Sequence, residues 1–381
     1  MKSKAIVLGL YEGNGLGVTR SLGYEKIPII GFNKKGLFPH ASYSKYMQAS
    51  YFVDNESELI EKLMETGMQQ EEKGVLFATG DDYVLFCQDY SEDLQKYYHV
   101  PLVKEKNLHN LLEKKSNLKI GQESGFKIPE SQYLSEPLKL EDKIIAKPLS
   151  SVGTSKQDIF IFDNKYEIEK AKDKLIRKYK DMLLMQYIEG GVKEHFEIHT
   201  YNSSQGVLIA GMLQKIHALK NSTHGSVGAL AQSVWIDELV KAAKKLTEKA
   251  EFNGALDINL KKNALDNEFY FTEVNYRTSG NLMLDTISGL NLPAIIYYDL
   301  NEKDISHLIS KSKRLGIKWL SEGVEIAYLR SGIDNDVIEY NNEMQKIESY
   351  VFFDETDMLP FLKAIETDTL IFKPSEGRVK I

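Results

Sequence analysis

Two neighbouring stretches decide the fold: residues 254–260 read GALDINL, and residues 269–277 read FYFTEVNYR. Each stretch alternates apolar and polar residues with the two-residue period of a β-strand. The segment between them, residues 263–267 (NALDN), is rich in turn-forming residues. The pattern therefore predicts an antiparallel β-hairpin.

Four oxygen-bearing side chains lie on one face of this predicted hairpin. Asp257 and Asn259 are two residues apart and share a face of the first strand, and Glu273 and Asn275 do the same in the second. A turn centred on Asp266 places Asn259 opposite Glu273. It also places Asp257 opposite Asn275, with Cβ atoms of opposed residues about 5 Å apart. Such oxygens suit a hard cation such as Mg²⁺, and the alternative is the exposed polar face of an edge hairpin.

The composition of the 381-residue chain is that of an ordinary folded protein, with 42% hydrophobic and 27% charged residues. A formal net charge of -7 gives no basic field, which argues against a nucleic acid partner. Cys87 is the single cysteine, so no intrachain disulfide can form, and we expect it in the core. No signal-like or membrane-spanning run is present in the sequence, and a cytoplasmic protein is expected.

The N-terminal part, residues 1–110, predicts an open parallel α/β sheet. Its strand-like and helix-like segments are residues 4–10, 27–32, 57–67 and 75–79. The glycine-rich residues 13–17 (GNGLG) predict a tight turn before a helix. Their similarity to a dinucleotide-binding fingerprint is weak, because the acidic residue expected about 20 positions later is missing.

Downstream, residues 108–124 predict one helix that ends at Gly125. Two short strands, residues 144–147 and 158–162, predict a hairpin around a loop of small and hydroxyl-bearing residues. Past about residue 300 a small α+β segment follows, and its sequence indicates no chemistry.

The end of the second strand of the 254–277 hairpin resembles a known family. The run Glu273-Val274-Asn275-Tyr276-Arg277 is similar to the Glu-x-Asn-Pro-Arg metal-binding signature of ATP-grasp enzymes. Lys114 resembles the first nucleotide-binding lysine of that family. Lys147, which is followed by Pro148 and the small-residue loop, resembles the second. These pieces fall in the family's order and cover residues 1 to about 300.

The resemblance also implies an adenine hinge at residues 185–190 (MQYIEG) and a ribose-binding carboxylate at Glu194. The implied nucleotide-binding residues are Lys114, Lys147, Ser151, Gly153, Thr154, Ser155, Gln186, Tyr187, Ile188 and Glu194. The implied metal ligands are Asn259, Glu273 and Asn275, with Asp257 as a compensating ligand. Three positions depart from the family pattern: Asn259 stands where many members carry an acid, Tyr276 replaces the proline, and Gln186 replaces a common acid.

The fold implied by the resemblance has three parts. An N-terminal open parallel sheet, the pre-ATP-grasp domain, spans residues 1–110. The ATP-grasp domain, with two α+β subdomains, spans residues 111–300 and includes a lid subdomain at about 125–188. Residues 301–381 form a small C-terminal α+β extension. The similarity is closest to the carbamoyl-phosphate-synthetase-like and D-aspartate-ligase-like branch.

The activity implied by the resemblance is ATP-dependent ligation of a carboxylate to an amine through an acyl phosphate, with Mg²⁺ or alternatively Mn²⁺. Lys114 and Lys147 would neutralise phosphate charge, and Arg277 would hold the acyl phosphate and the tetrahedral oxyanion. The expected partners are small-molecule carboxylates and amines, and a homodimer is left open. The alternatives are a carbamoyl-phosphate-type or carboxylating enzyme and a nucleotide-binding regulator without catalysis.

Histidines near the predicted site allow two interpretations. His195, Glu197 and His199 alternate on one strand face, which could suggest a metal, but no fourth ligand is visible, so we favour a polar strand near the ribose. His224 lies either in the substrate pocket or in a solvent-exposed turn.

Overall fold

The computed structural model describes residues 3–103, 108–149, 158–218, 227–232, 235–310, 314–330, 337–345 and 347–370. Three β-sheets organise these residues, with five, seven and four strands. In the described residues no helix is long and apolar enough to cross a membrane.

The N-terminal sheet is parallel, with the strand order β3-β2-β1-β4-β5. Its strands are β1 Ala5–Leu8, β2 Ile29–Lys34, β3 Met47–Val53, β4 Gly74–Ala78 and β5 Tyr98–His99. The helices of this part are α1 Glu12–Tyr24, α2 Glu56–Met68, α3 Asp81–Asp89 and α4 Ser91–Leu94. Strand β1 is fully buried because helices cover both faces of a parallel sheet. Cys87 in α3 is also fully buried, which confirms it as a core residue.

The predicted glycine turn at residues 13–17 is wrong, because these residues lie inside α1. The glycines instead allow close packing of the start of this helix. A Cβ atom on Gly15 would lie 2.5 Å from the carbonyl oxygen of Gly9, and one on Gly13 would lie 2.9 Å from that of Gly280. The cluster therefore reflects contact between α1 and its neighbours, not a reversal of the chain.

The predicted single helix at residues 108–124 is also wrong, because the chain forms α5 Leu108–Leu112 and α6 Lys114–Glu123. The break occurs at Glu113, whose carboxylate accepts hydrogen bonds from the backbone N–H groups of Lys115 and Ser116. A side-chain cap of this kind starts a new helix. As a result Lys114 is the first residue of α6.

A four-stranded antiparallel sheet with the order β6-β9-β7-β8 occupies the predicted lid region. Its strands are β6 Ser131–Tyr133, β7 Ile144–Pro148, β8 Phe160–Phe162 and β9 Met182–Gln186. The predicted hairpin is present, with Ile144 opposite Phe162. Helix α7, Lys165–Tyr179, begins after the capping residue Asn164 and buries one apolar face.

The seven-stranded sheet has the order β14-β13-β10-β11-β12-β15-β16. Its strands are β10 His195–Ser203, β11 Gly206–Ala218, β12 Val227–Gln232, β13 Leu256–Lys262, β14 Phe269–Asn275, β15 Lys318–Leu320 and β16 Ile347–Tyr350. The remaining helices are α8 Asp237–Ala250, α9 Met283–Ser288, α10 Leu292–Leu300, α11 Ser306–Ile309, α12 Glu322–Arg330, α13 Val337–Glu343 and α14 Leu359–Glu366. Strand β14 lies at one edge of the sheet.

The C-terminal segment is joined to both other parts of the chain. Its strands β15 and β16 extend the seven-stranded sheet beyond β12. Arg20 of α1, 1% exposed, bonds the carboxylate of Asp357 at 3.0 Å and the carbonyl oxygens of Val351 and Phe352. A buried charged network therefore fixes this segment to the N-terminal sheet.

A second connection involves His217 of β11. Its Nδ1 lies 3.0 Å from Glu325 and its Nε2 lies 2.9 Å from Glu343, and the imidazole contacts the rings of both Tyr328 and Tyr340. Burial alone would lower the pKa of His217, but the two carboxylates outweigh burial and raise it. The two carboxylates therefore favour the charged form of the imidazole.

Candidate functional site

The β13–β14 hairpin has the predicted register. Asn259 is paired with Glu273, and Asp257 is paired with Asn275. Leu256, Ile258 and Leu260 are at most 1% exposed on the opposite face, so the alternation seen in the sequence sorts apolar from polar side chains. The predicted pairing of these four residues across the hairpin is confirmed, and their role as a metal site stays a prediction.

Asp257 lies behind the side-chain amides of Asn259 and Asn275. Its Oδ1 accepts a hydrogen bond from Asn259 Nδ2 at 2.9 Å, and its Oδ2 accepts one from Asn275 Nδ2 at 3.1 Å. Because each amide turns its NH₂ group toward this carboxylate, its carbonyl oxygen is directed away from it. Asp257 thus orients two oxygen donors, and its predicted role as a direct metal ligand stays a prediction.

Two lysines converge on Glu273. Lys114 Nζ donates to Glu273 Oε2 at 3.3 Å from the first turn of α6. Lys147, at 7% exposure, is held at the end of β7. Burial and the nearby charge of Lys114 lower the pKa of Lys147, whereas the charge of Glu273 raises it. Two cations around one carboxylate suit the binding of a polyanion.

A pocket opens beside these groups. It is lined by Lys114, Asn117, Met185, Glu273 and Asn275, together with apolar residues of α5, α6, β9 and β14. Glu273 and Asn275 offer a carboxylate and an amide oxygen at this pocket, and such donors fit a hard cation that also takes phosphate oxygens.

Sequence reasoning missed Asn117. Its Nδ2 donates to the carbonyl oxygen of Val274 at 2.8 Å, and its Oδ1 accepts from the N–H of Val274 at 2.8 Å. One amide therefore satisfies the outward-facing backbone of edge strand β14 and fixes α6 against it. The only signal in the sequence is its position three residues after Lys114, on the same helix.

The predicted adenine hinge follows β9. Gln186 pairs with Ile144 at the end of β9, Ile188 is buried, and the ring of Tyr187 lies 4.5 Å from the ammonium groups of both Lys143 and Lys261. Burial lowers the pKa of Lys261 to about 8.

Glu194 lies in the short helix Val192–Glu194. Its negative charge raises the pKa of Lys261, which partly offsets the effect of burial. The predicted hinge and ribose positions are therefore near one another. Ser151, Gly153, Thr154, Ser155 and His224 lie outside the described residues.

Arg277 spans the boundary with the N-terminal sheet. Its Nε donates to Asp81 Oδ1 at 3.1 Å, and its Nη1 lies 3.8 Å from Asp257 Oδ2. Burial would lower its pKa, but neighbouring carboxylates, first Asp81 and then Asp257, raise it. Nothing in the local sequence connects Asp81 with Arg277, and the fold makes them partners.

A second polar group lies next to Asp257, inside the sheet. Glu197 and His199 of β10 approach Asp257 because β10 is the strand paired with β13. Burial would lower the pKa of His199, but Asp285, Glu197 and Asp257 raise it well above its usual value. Burial and the charge of Glu197 raise the pKa of Asp257 to about 6. Asp257, from the neighbouring strand, thus joins two of the three residues in the sequence pattern, and His195 is not part of this cluster.

Comparisons with known proteins agree with this fold. Residues 178–322 match the family model described as ATP-grasp in the biosynthetic pathway with Ter operon. D-aspartate ligase from Enterococcus faecium (strain Aus0004) is 20% identical over an alignment of 246 residues, and the match covers 60% of this chain and 58% of that protein. The chain therefore spans less than two thirds of the length of this relative.

Two solved structures share the fold. L-amino acid ligase from Bacillus licheniformis has a TM-score of 0.58 at 16% identity, over 79% of this chain and 75% of that one. N5-carboxyaminoimidazole synthetase from Staphylococcus aureus complexed with ADP has a TM-score of 0.65 at 13% identity, over 90% and 86%.

The chain is thus similar to the ATP-grasp family over residues 178–322 and shares its overall fold with these two solved structures. The expected similarity to the D-aspartate-ligase-like branch is confirmed by the match to D-aspartate ligase.

Proposed function

We propose that this protein is an ATP- and Mg²⁺-dependent ligase that activates a carboxylate as an acyl phosphate and couples it to an amine. The observation that carries the proposal is the convergence of Lys114 and Lys147 on Glu273, beside Asn275 and at the strand end that leads to Arg277. Phosphoryl transfer to a carboxylate requires cationic groups that bind phosphate, oxygen donors that bind a metal cation, and a group such as arginine that stabilises developing negative charge.

Binding of the nucleotide would exchange ionic partners at Glu273. Lys114 is paired with Glu273. Lys114 and Lys147 would hold phosphate oxygens of the nucleotide, and Glu273 would then become available to the cation with Asn259 and Asn275. Mg²⁺ held by these three side chains would supply neutralisation of the phosphate charge. Mn²⁺ has the same preference for oxygen donors.

The reaction then has two balanced steps. A carboxylate oxygen of the substrate attacks the γ-phosphorus, the bond to the β-phosphate oxygen breaks, and ADP leaves. The amine nitrogen attacks the acyl carbon, inorganic phosphate leaves, and the nitrogen loses a proton. Arg277 would stabilise the oxygen that carries negative charge in the second step, held in place by Asp81.

Amino acids are the favoured carboxylate substrates. Two of the similar proteins are named D-aspartate ligase and L-amino acid ligase, and the acceptor would be an amine of similar size. N5-carboxyaminoimidazole synthetase has the same fold, so a carboxylating enzyme is the second candidate.

Hydroxylamine reacts with an acyl phosphate to give a hydroxamate, so it tests for this intermediate even when the acceptor amine is unknown. The protein is incubated with ATP, Mg²⁺, hydroxylamine and a panel of D- and L-amino acids, hydroxy acids and peptides, and hydroxamate and ADP are measured. We expect one class of carboxylate to give hydroxamate in equal amount to ADP. Bicarbonate with an amine, in place of the panel, tests the carboxylating alternative.

Lys147→Met is the matched inactive variant because it keeps the buried stem and removes the charge. We expect no hydroxamate from it, with an unchanged circular dichroism spectrum. ADP formation with bicarbonate alone would favour carboxylation. A wild-type protein that binds MgATP yet forms no ADP with any substrate would exclude the ligase proposal.

A further inference from the structure

The buried polar group behind the hairpin contains a histidine nitrogen with no hydrogen-bond partner. His199, 2% exposed, places Nε2 at 3.8 Å from Glu197 Oε2 and also at 3.8 Å from Asp257 Oδ1. Both distances exceed hydrogen-bond length, and Nε2 has no partner among the described residues. An unpaired nitrogen at this depth is rare, and here it faces two carboxylates.

The other nitrogen of the same ring is firmly held. His199 Nδ1 lies 2.5 Å from Asp285 Oδ2, and Asp285 is fully buried in α9. A histidine that bonds a carboxylate through one nitrogen presents its other nitrogen in a fixed direction, as metal-binding histidines do. The ring is therefore oriented toward the space between Glu197 and Asp257.

The charges around this space also favour a cation. Three buried carboxylates, those of Glu197, Asp257 and Asp285, surround the imidazole. The ammonium of Lys215 lies 3.5 Å from Glu197. Arg277 lies 3.8 Å from Asp257 but is shared with Asp81. A divalent cation at Nε2 would take the place of the imidazole proton and, together with Lys215, would balance the three negative charges.

We propose that Glu197, His199 and Asp257 form a second metal site, separate from the nucleotide-dependent Mg²⁺ site and suited to a transition ion such as Zn²⁺. One ligand atom from each residue lies within 4.8 Å of the others. Ligand atoms around a tetrahedral Zn²⁺ are about 3.3 Å apart, so the 3.8 Å contacts need to close by only about 0.5 Å. The imidazole distinguishes this site from the oxygen-only donor set of Asn259, Glu273 and Asn275.

The position of the site indicates what the ion would do. Asp257 is both a ligand of the second site and the acceptor that orients the amides of Asn259 and Asn275. An ion bound by Glu197 and His199 would fix this carboxylate between β10, β13 and α9. The second ion would then be a structural support for the nucleotide site and need not contact substrate.

Zinc binding without nucleotide tests the site independently of any ligase activity. The EDTA-treated full-length protein is equilibrated with Zn²⁺ in the presence of excess Mg²⁺, and bound zinc is measured by mass spectrometry and titration against a chelating dye. X-ray absorption of the bound zinc counts imidazole ligands. We expect one tightly bound Zn²⁺ per chain, with one imidazole and oxygen donors.

Variants assign the ion to its residues. His199→Gln is expected to weaken Zn²⁺ binding by at least about 100-fold, and Asp285→Asn, which alters only the orienting carboxylate, by about 10- to 100-fold. Glu273→Gln should leave zinc binding unchanged, because it belongs to the other site. His109→Gln is the matched surface control, since His109 pairs with Asp89 at 2.9 Å with about half of its side chain exposed.

Four outcomes overturn the proposal. No retained zinc in the wild type excludes the site. Loss of zinc in Glu273→Gln with retention in His199→Gln assigns the ion to the nucleotide site, and loss in His109→Gln alone shows an adventitious surface ion only. If His199→Gln does not fold, the wild-type absorption spectrum decides, because zinc without an imidazole ligand contradicts the assignment.

Discussion

Replacement of Asn117 by alanine should destabilise the protein and weaken MgATP binding, although Asn117 was not among the predicted ligands. Its amide makes two 2.8 Å hydrogen bonds to the backbone of Val274 and is 5% exposed. The variant leaves one buried N–H and one buried carbonyl oxygen of an edge strand without a partner. Each unsatisfied group costs about 1–3 kcal/mol, so we expect the free energy of unfolding to fall by about 2–4 kcal/mol.

The effect on nucleotide binding follows from what Asn117 connects. It holds α6, which begins at Lys114, against β14, which carries Glu273. Loosening of this contact should lower the affinity for MgATP about tenfold, equivalent to about 1.4 kcal/mol.

Urea unfolding followed by circular dichroism measures the stability of the Asn117 variant, and calorimetric titration with MgATP measures the affinity. Gln122→Ala is the matched control, because Gln122 is exposed on the same helix and should lose less than about 0.5 kcal/mol. Equal losses of stability in the two variants would refute the role of the Val274 hydrogen bonds. A stability loss with unchanged MgATP affinity would refute the positional link to Lys114.

Three further changes test other parts of the molecule. Arg277→Ala should lower hydroxamate formation by about 10²- to 10³-fold with little change in ATP affinity, and Arg277→Lys should restore only part of this activity. If Arg277→Ala loses ATP binding to the same extent, Arg277 instead binds phosphate in the ground state. Arg20→Leu leaves Asp357 as a buried charge without its cationic partner, so the free energy of unfolding measured in urea should fall by about 3–5 kcal/mol. A fall of less than about 1 kcal/mol would contradict a dominant role for this network. His217 has a pKa raised above its unfolded value of about 6.5, so its contribution to stability is fully present below that pH and is lost as the pH rises through the folded-state pKa. The slope of stability against pH in this window should flatten in His217→Gln, and an unchanged slope would show that other groups cause it.

The local pattern of the chain was enough to predict the hairpin. Alternation with a period of two sorts side chains by face in any β-strand, so the pairs Asp257 with Asn275 and Asn259 with Glu273 follow from turn position and strand period alone. The lysines were found by their resemblance to a family pattern. Their convergence on Glu273 is a property of the folded chain.

Prediction from the local sequence pattern failed at two places where the same pattern is compatible with more than one structure. The glycines at residues 13–17 suit a turn and also suit a helix that packs closely on backbone, and the second cause applies here. The break between α5 and α6 depends on one capping carboxylate, Glu113, in a segment that is otherwise helical by composition.

Only the tertiary structure brought distant residues together at the site. Asn117 is 157 positions from Val274, Asp81 is 196 from Arg277, and Asp285 is 86 from His199. Hydrogen bonds and ion pairs act over a few ångströms, and which distant residues come that close depends on strand order, here β10 beside β13 and the N-terminal sheet against the end of β14. The sequence by itself determined which chemical groups are available, and the packing of the sheets decided which of them meet.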